Sequence, residues 1–372
     1  DPTDLPTLRH PGPAAPAEGV AMNVQTVEKR NWRSRFSQRW DAIAENRRIL
    51  PVLLIIGFLL SFAIPQFTLI NPYYQLVIMY VGINIILATS LNLINGYMGE
   101  FSVGHAGFMA VGAYTAALLT MKVFPPNLVG YLFPLTIVIA GTAAALVGLV
   151  VAIPSFKTRG DYLAIVTLAF NMIVKSVIEN IEAIGGPRGI PGIDRLTTMR
   201  WVFFWTVLAV WCMRNFIYSN FGRGVLSIRE DEIASDLMSV NTRQVKLLAF
   251  VISSFFAGVA GGLFAHLLQF ISPRVFDILK STDILIMVYL GGIGSIAGSI
   301  LGATIFTVLL EALRPLGYYR MILMPLLLIF LMLYRPRGIM GLREFRWFIP
   351  AYEQLAVKLW RQNKEASDAP AG

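Results

Sequence analysis

Long apolar stretches, not alternating or heptad patterns, dominate this chain. Strong ones run near 49–66, 72–94, 106–122, 130–153, 201–218, 247–270 and 319–334, and weaker ones near 161–181, 281–293 and 296–313. A helix needs about 20 apolar residues to cross about 30 Å of hydrocarbon. The pattern therefore predicts an all-α, polytopic membrane protein with about ten transmembrane segments, or eight if two weak ones are re-entrant. Basic residues flank these segments: Lys157 and Arg159; Arg214, Arg223, Arg229, Arg243 and Lys246; Arg335, Arg337, Arg343, Arg346, Lys358, Arg361 and Lys364. With an even number of crossings, the positive-inside rule puts both termini in the cytoplasm.

The weak segments carry polar interruptions. Asp161, Lys175 and Glu179 fall in the first, and a lipid-facing helix does not hold three such groups cheaply. Lys175 and Glu179, four apart, are expected to pair along one face, with the helix turned towards protein or a watery cavity. Gly291, Gly292, Gly294 and Gly298 interrupt the second. Each glycine by itself reads as close helix packing. The cluster reads as a broken helix beside a cavity, as at the translocation path of transporters.

Two further stretches stand out. The run from Glu100 to Leu119, GEFSVGHAGFMAVGAYTAALL with its preceding Gly99, places Ser102, Gly104 and His105 at the start of an apolar segment. His105 is either a hydrogen-bonded structural residue or part of a bend that lines a substrate route. In the polar loop 220–246, Leu226, Ile233, Leu237 and Val240 recur at helical spacing, while Arg229, Glu230, Asp231, Glu232 and Asp236 cover the rest. This predicts one amphipathic helix in the cytoplasm. Its pattern fits both a solvated connector and a helix that docks into a partner, with the charges setting register.

Composition supports the membrane reading. Of 372 residues, 56% are hydrophobic and 14% charged, and mean hydropathy is +0.63; soluble domains carry about 25% charged residues. The net charge of +9 belongs to the segment flanks and implies no nucleic-acid partner. Cys212 is the single cysteine, so no intrachain disulfide forms. His10, His105 and His266 are too scattered to suggest a metal site. Residues 1–30 are expected to be a disordered or appended tail, since the Pro- and Ala-rich first twenty cannot bury a core; Met22 reads as a natural start. Within 31–45, Trp32, Phe36, Trp40 and Ile43 form an apolar row beside Arg33, Arg35 and Arg39, predicting a helix lying in the membrane interface. Residues 49–335 then make the transmembrane domain, and 336–372 a cytoplasmic tail. No phosphate-binding G-x-x-x-x-G-K-[ST] occurs, nor any hydrolase, metalloprotease or kinase signature. The chain is not expected to be an enzyme or to hold a cofactor.

Five ordered blocks resemble the LivM-type permeases of branched-chain amino-acid ABC importers: LNLINGYMGEFSVGHAGFMAVGAYTAALL, RGDYLAIVTLAF with GGPRGIPGI, IREDEIASDLMSVNTRQVKLLAFVISSFFAGVAGGLFA, GGIGSIAGSILGA and YRPRGIMG. They cover about residues 49 to 342. Ser235 and Ser239 stand where that family usually has Ala and Gly. Gly112-Ala113-Tyr114 is similar to the amino-acid branch, whereas urea permeases of the wider group tend to carry Gly-Gly-Tyr. The resemblance implies a transport subunit of a bacterial inner membrane. A paralogous permease, two cytoplasmic ATPases that bind ATP and magnesium, and an extracytoplasmic substrate-binding protein would complete the importer. It further implies that the helix around Arg229, Glu230, Asp231, Glu232 and Asp236 sits in an ATPase cleft. Ser102, Gly104, His105, Gly291, Gly292 and Gly294 are the candidate residues of the pathway. A urea or small-amide permease of the same architecture, and a self-sufficient secondary transporter using Asp161, Lys175 and Glu179, are the alternatives.

Overall fold

In hydrocarbon a segment must pair its own amides and carbonyls, which a helix does for every interior residue. The computed structural model describes residues 57–59, 61, 71–125, 127–156, 162–317, 319–334, 338–341 and 344–345. The expected tail over 1–30, the interfacial helix over 31–45, Asp161, most of the segment near 49–66 and most of the C-terminal tail lie outside them.

Helix α1 spans Pro72–Asn92 and continues as a π-helical turn, Leu93–Met98. Pro72 takes the first turn, where its missing N–H is no loss, and the Asn71 side chain caps it. Helix α2, His105–Leu118, likewise runs into a π-helical turn, Leu119–Val123. Then follow α3, Val129–Ser155; α4, Tyr162–Asn180; and α5, Met199–Ile217. Two short helices, α6 (Asn220–Glu230) and α7 (Glu232–Leu237), lead into α8, Thr242–Leu268. Helices α9 (Ile278–Gly291), α10 (Ile296–Ala312) and α11 (Tyr319–Tyr334) complete the described bundle. Among the described residues, five helices are long and apolar enough to cross a membrane: α1 and α2 with their π-helical turns, α3, α4 and α8. The pair α5 and α6, bent by 70°, makes a sixth if counted as one span. The segment near 161–181, weak as a pattern, is thus one of the long helices.

Contacts between helix ends define two ends of the bundle. At one, the α1 π-turn meets α6 through Arg229 and Gly96, and Asn92 meets the turn between α9 and α10. At the other, β1 (Ile190–Pro191) pairs antiparallel with β2 (Phe270–Ile271), and Lys122 after α2 donates to the Ala183 carbonyl after α4. Successive long helices run alternately between these ends.

Helix α8 is central, packing on α2 and α3. Small residues make this possible, since helices in lipid associate through close van der Waals contact. Gly112 of α2 lies against the Gly258 backbone, and Gly261 of α8 lies against the Met109 carbonyl. A methyl group at any of these positions would strike the facing main chain.

Two expectations need correction. Lys175 pairs not with Glu179 but with Asp277, at 3.0 Å, just before α9; the tertiary carboxylate also caps the Ile278 amide. The single amphipathic helix across Leu226–Val240 is two helices. Asp231 is extended at φ −160°, ψ 113°, and its carboxylate accepts from the Ile233 and Ala234 amides. An aspartate that caps the next helix from an extended position ends the previous one.

Candidate coupling and translocation site

The loop residues marked by sequence form a braced elbow. The Arg229 guanidinium turns inward, donating to the Gly96 carbonyl at 3.2 Å and pairing with Glu230 at 3.0 Å. Glu232 reaches Lys246 of α8 at 2.9 Å, and the same ammonium holds Glu100 at 2.6 Å. The Lys246 side chain is only 7% exposed. Asp236 accepts from the Thr242 hydroxyl at 2.7 Å. All five loop charges singled out from sequence therefore have a partner inside the chain, Asp231 by capping the Ile233 and Ala234 amides, although the Glu230 side chain is 76% exposed. Beside the exposed Glu230, Asp231 and Asp236, the elbow presents three apolar side chains outward: Ile233, Leu237 and Met238 are 67%, 81% and 79% exposed. Ser239 holds φ +63°, a left-handed conformation that glycine adopts more cheaply.

Lys246 bridges α7 to the non-helical link between α1 and α2. In that link Gly99 is left-handed at φ +78°, and the Arg229 Cγ lies 2.7 Å from where a Cβ would stand. Farther along, the Ser102 amide donates to Asn95 at 3.2 Å and the Val103 amide to Thr167 at 3.1 Å. Gly104 lies against the Thr167 backbone and caps α2. His105 Nε2 meets the Ser90 hydroxyl at 2.8 Å, and the Ala106 amide donates to Ser281 of α9 at 3.1 Å. Ser253, eleven residues into α8, donates to the Ser90 carbonyl, so α2 begins about 17 Å inside the bundle at 1.5 Å per residue. Around its first turn, Ser102 Oγ, His105 Nδ1 and both amide atoms of Asn171 are buried with no partner among the described residues. Buried polar atoms left open in this way mark a place where water or a polar solute completes the bonding.

The other glycine cluster is tightly packed in this conformation. Gly292 at φ +130° and Gly294 at φ +76° form the turn between α9 and α10. Gly291 lies against the Gly298 backbone, and Gly302 against Met287 and Gly291. Asn92, which sequence reasoning missed, fastens this turn. Its carboxamide donates to the Ser295 carbonyl (2.9 Å) and the Ser299 hydroxyl (2.8 Å), and accepts from the Gly294 amide (2.9 Å). The segment after α11 returns here as well, Ile339 and Met340 donating to the carbonyls of Leu290 and Gly291. Glu344 accepts from the Tyr97 hydroxyl and from the Ile296 and Ala297 amides at the start of α10. Burial pushes the Glu344 carboxyl up, against those donors, which pull it down. An Asn inside an apolar run was the only sequence signal for the first fastening, and nothing local announces the second. Among the described residues no three His, Cys, Asp or Glu side chains gather as metal ligands.

A bundle of apolar helices with unwound, polar links at depth and a braced elbow at one end belongs to the class of polytopic membrane permeases. The profile of the family described as "branched-chain amino acid transport system / permease component" matches residues 73–333, and the chain belongs to that family. It is 35% identical over 293 residues to the high-affinity branched-chain amino acid transport system permease protein LivM of Escherichia coli K12, covering 69% of this chain and 68% of that one. It is 27% identical over 287 residues to LivH of Salmonella typhimurium, covering 70% and 91%. The ribose import permease RbsC of Escherichia coli K12 is 24% identical over 331 residues, covering 81% and 95%. No solved structure gives a significant match.

Proposed function

We propose that this chain is one transmembrane half of an ATP-driven importer of branched-chain or other neutral amino acids in a bacterial inner membrane. Its partners are a paralogous permease, two cytoplasmic ABC ATPases that bind ATP and magnesium, and an extracytoplasmic binding protein. The observation that carries this reading is the elbow: Ile233 and Leu237, with Met238 just past them, stand exposed on and after a short helix whose base is tied by Lys246 to the link before α2. An exposed apolar knob on a polar loop suits insertion into a partner's groove. Arg229, Glu230, Asp231, Glu232 and Asp236 hold the knob in shape, and Lys246 passes its movement to Glu100. Rigid-body rocking of the elbow would then open or close the bundle around the link, with nucleotide state biasing two arrangements.

In this reading the segment near 49–66 adds one crossing to the alternating described helices. That gives ten, with both termini cytoplasmic and the elbow on the inner side. Ser102, Gly104 and His105, with the Gly291, Gly292 and Gly294 turn, border the pathway. Helix ends at depth would supply amides and carbonyls for the zwitterion.

Tagging this chain in its native membrane, isolating it under mild detergent and identifying what accompanies it tests the assembly. The expected result is a second apolar permease and ATPases carrying phosphate-binding loops, with ATPase activity in the isolate. Recovery of the chain alone, without that activity, contradicts it. Because the chain is also similar to a ribose permease, the transport panel includes ribose and urea beside leucine, isoleucine and valine.

A further inference from the structure

The break between α9 and α10 is closed by residues from the far end of the chain. A helix leaves its first amides and last carbonyls without helical partners. At the end of α9, the Leu290 and Gly291 carbonyls accept from the Ile339 and Met340 amides at 3.0 and 2.9 Å. At the start of α10, the Ile296 and Ala297 amides donate to the Glu344 carboxylate, a favourable place for a negative charge. Gly338, left-handed at φ +70°, lets the chain come this close: a Cβ there would stand 2.7 Å from the Gly292 backbone. Residues 338–344 thus clip the two helices together across the Gly291, Gly292 and Gly294 turn. The carboxylate has a further holder. Its Oε1, which takes the Ile296 amide, also accepts from the Tyr97 hydroxyl at 2.9 Å. Tyr97 is 6% exposed in the π-helical turn of α1, and its neighbour Gly96 offers the carbonyl that Arg229 of the elbow bonds.

We propose that Glu344 is a positioning residue for coupling, which through Tyr97 carries displacement of the elbow to the end of α9 and the start of α10. The inference rests on the reading of the chain as an ATP-driven permease subunit and adds a second arm to it. Lys246 serves the link before α2; Glu344 serves the glycine turn. The contact needs a carboxylate. Four donors converge on it, Tyr97, Ile296, Ala297 and the Ser295 hydroxyl, and an ionised carboxyl is acceptor-only, with lone pairs for all of them. Hydrogen bonds to an ionised group are shorter and stronger than neutral ones, so the π-helical turn and the start of α10 move together. A local cap is already present, since the Ser295 hydroxyl receives the Gly298 amide. What a local cap cannot do is join α10 to the elbow. Asn92 fastens the glycine turn to the end of α1, whereas Tyr97 attaches it beside the Arg229 contact itself.

The test uses the whole importer, isolated through this chain and reconstituted in proteoliposomes with its binding protein, and reads leucine taken up per ATP hydrolysed. Tyr97→Phe removes the tie to the elbow and leaves the Glu344 cap on α10. It is expected to lower that ratio about fivefold or more, with the complex assembled and its unfolding temperature within about 4 °C of the unsubstituted one. A purely structural cap predicts no such fall, so a ratio within about twofold in Tyr97→Phe overturns the arm. Should Tyr97→Phe fail to assemble, Glu344→Gln, which turns an amide NH2 towards the same donors, is read for the same ratio. A fall of about fivefold there supports the arm, and a ratio within about twofold overturns it. An unsubstituted importer that shows no ATP-driven uptake of leucine, isoleucine or valine overturns the proposed function itself. ATP-driven uptake with an unaffected ratio removes only the arm.

Discussion

Lys246 lies 7% exposed between two carboxylates, Glu100 and Glu232, and its removal would leave two like charges facing each other. Breaking a buried ion pair from one side costs about 3–5 kcal/mol. Here Glu232 keeps 42% of its side chain in solvent, which lowers the cost to about 1–3 kcal/mol. Lys246→Met is therefore expected to lower the unfolding temperature of the isolated complex and to uncouple ATPase activity from leucine uptake. Glu232→Gln is expected to do less of both. Thermal unfolding followed beside the ratio of uptake to ATP hydrolysis checks this, and an unchanged ratio in Lys246→Met contradicts the bridge. Asn92→Leu strips a buried turn of three hydrogen bonds and should cost about 1–3 kcal/mol, read as a loss of thermal stability. His105→Leu should lower uptake while assembly persists, since His105 Nδ1 is an open atom beside the proposed route; unchanged uptake would make it a packing residue. Sequence marked His105, Ser102 and the loop charges by type alone. It did not tell which charges the chain itself would use, because the partners of Arg229 and Lys246 lie 133 and 146 residues away.

At the scale of elements, helix existence was legible wherever an apolar run was long, because the membrane leaves no other secondary structure available to it. Breaks were less so. Glycines at 291, 292 and 294 announced a break between α9 and α10, and the left-handed angles of Gly292 and Gly294 account for it. The break at Asp231 was hidden, since an aspartate reads equally as a helix-surface charge or as a cap until its φ is known. The same ambiguity led to pairing Lys175 with Glu179 on its own helix when Asp277 lies closer across the bundle. Close packing supplies the element-scale prediction. In Gly302→Ala the new methyl would meet the backbone at Met287 and Gly291, forcing α9 and α10 apart. The expected outcome is lower thermal stability by about 1–3 kcal/mol and reduced uptake. On the elbow, Leu237→Glu changes an 81% exposed side chain and should leave the fold intact. It should weaken ATPase association, which sedimentation or pull-down of the mutant complex measures.

For the whole molecule, alternation of helices between two ends places the elbow at one end and the paired β1 and β2 at the other. Leading inward from the elbow are the link from Gly99 to His105 and, through Tyr97 and Glu344, the turn between α9 and α10. This arrangement suits a protein that receives solute on one side and a mechanical signal on the other. The most direct measurement is leucine uptake into proteoliposomes holding the isolated complex and the binding protein, with ATP on the face that carries the elbow. The account predicts uptake that requires hydrolysable ATP there, ceases with a non-hydrolysable analogue, and is insensitive to proton or sodium gradients. Uptake by this chain alone, without ATP and driven by an ion gradient, would contradict it.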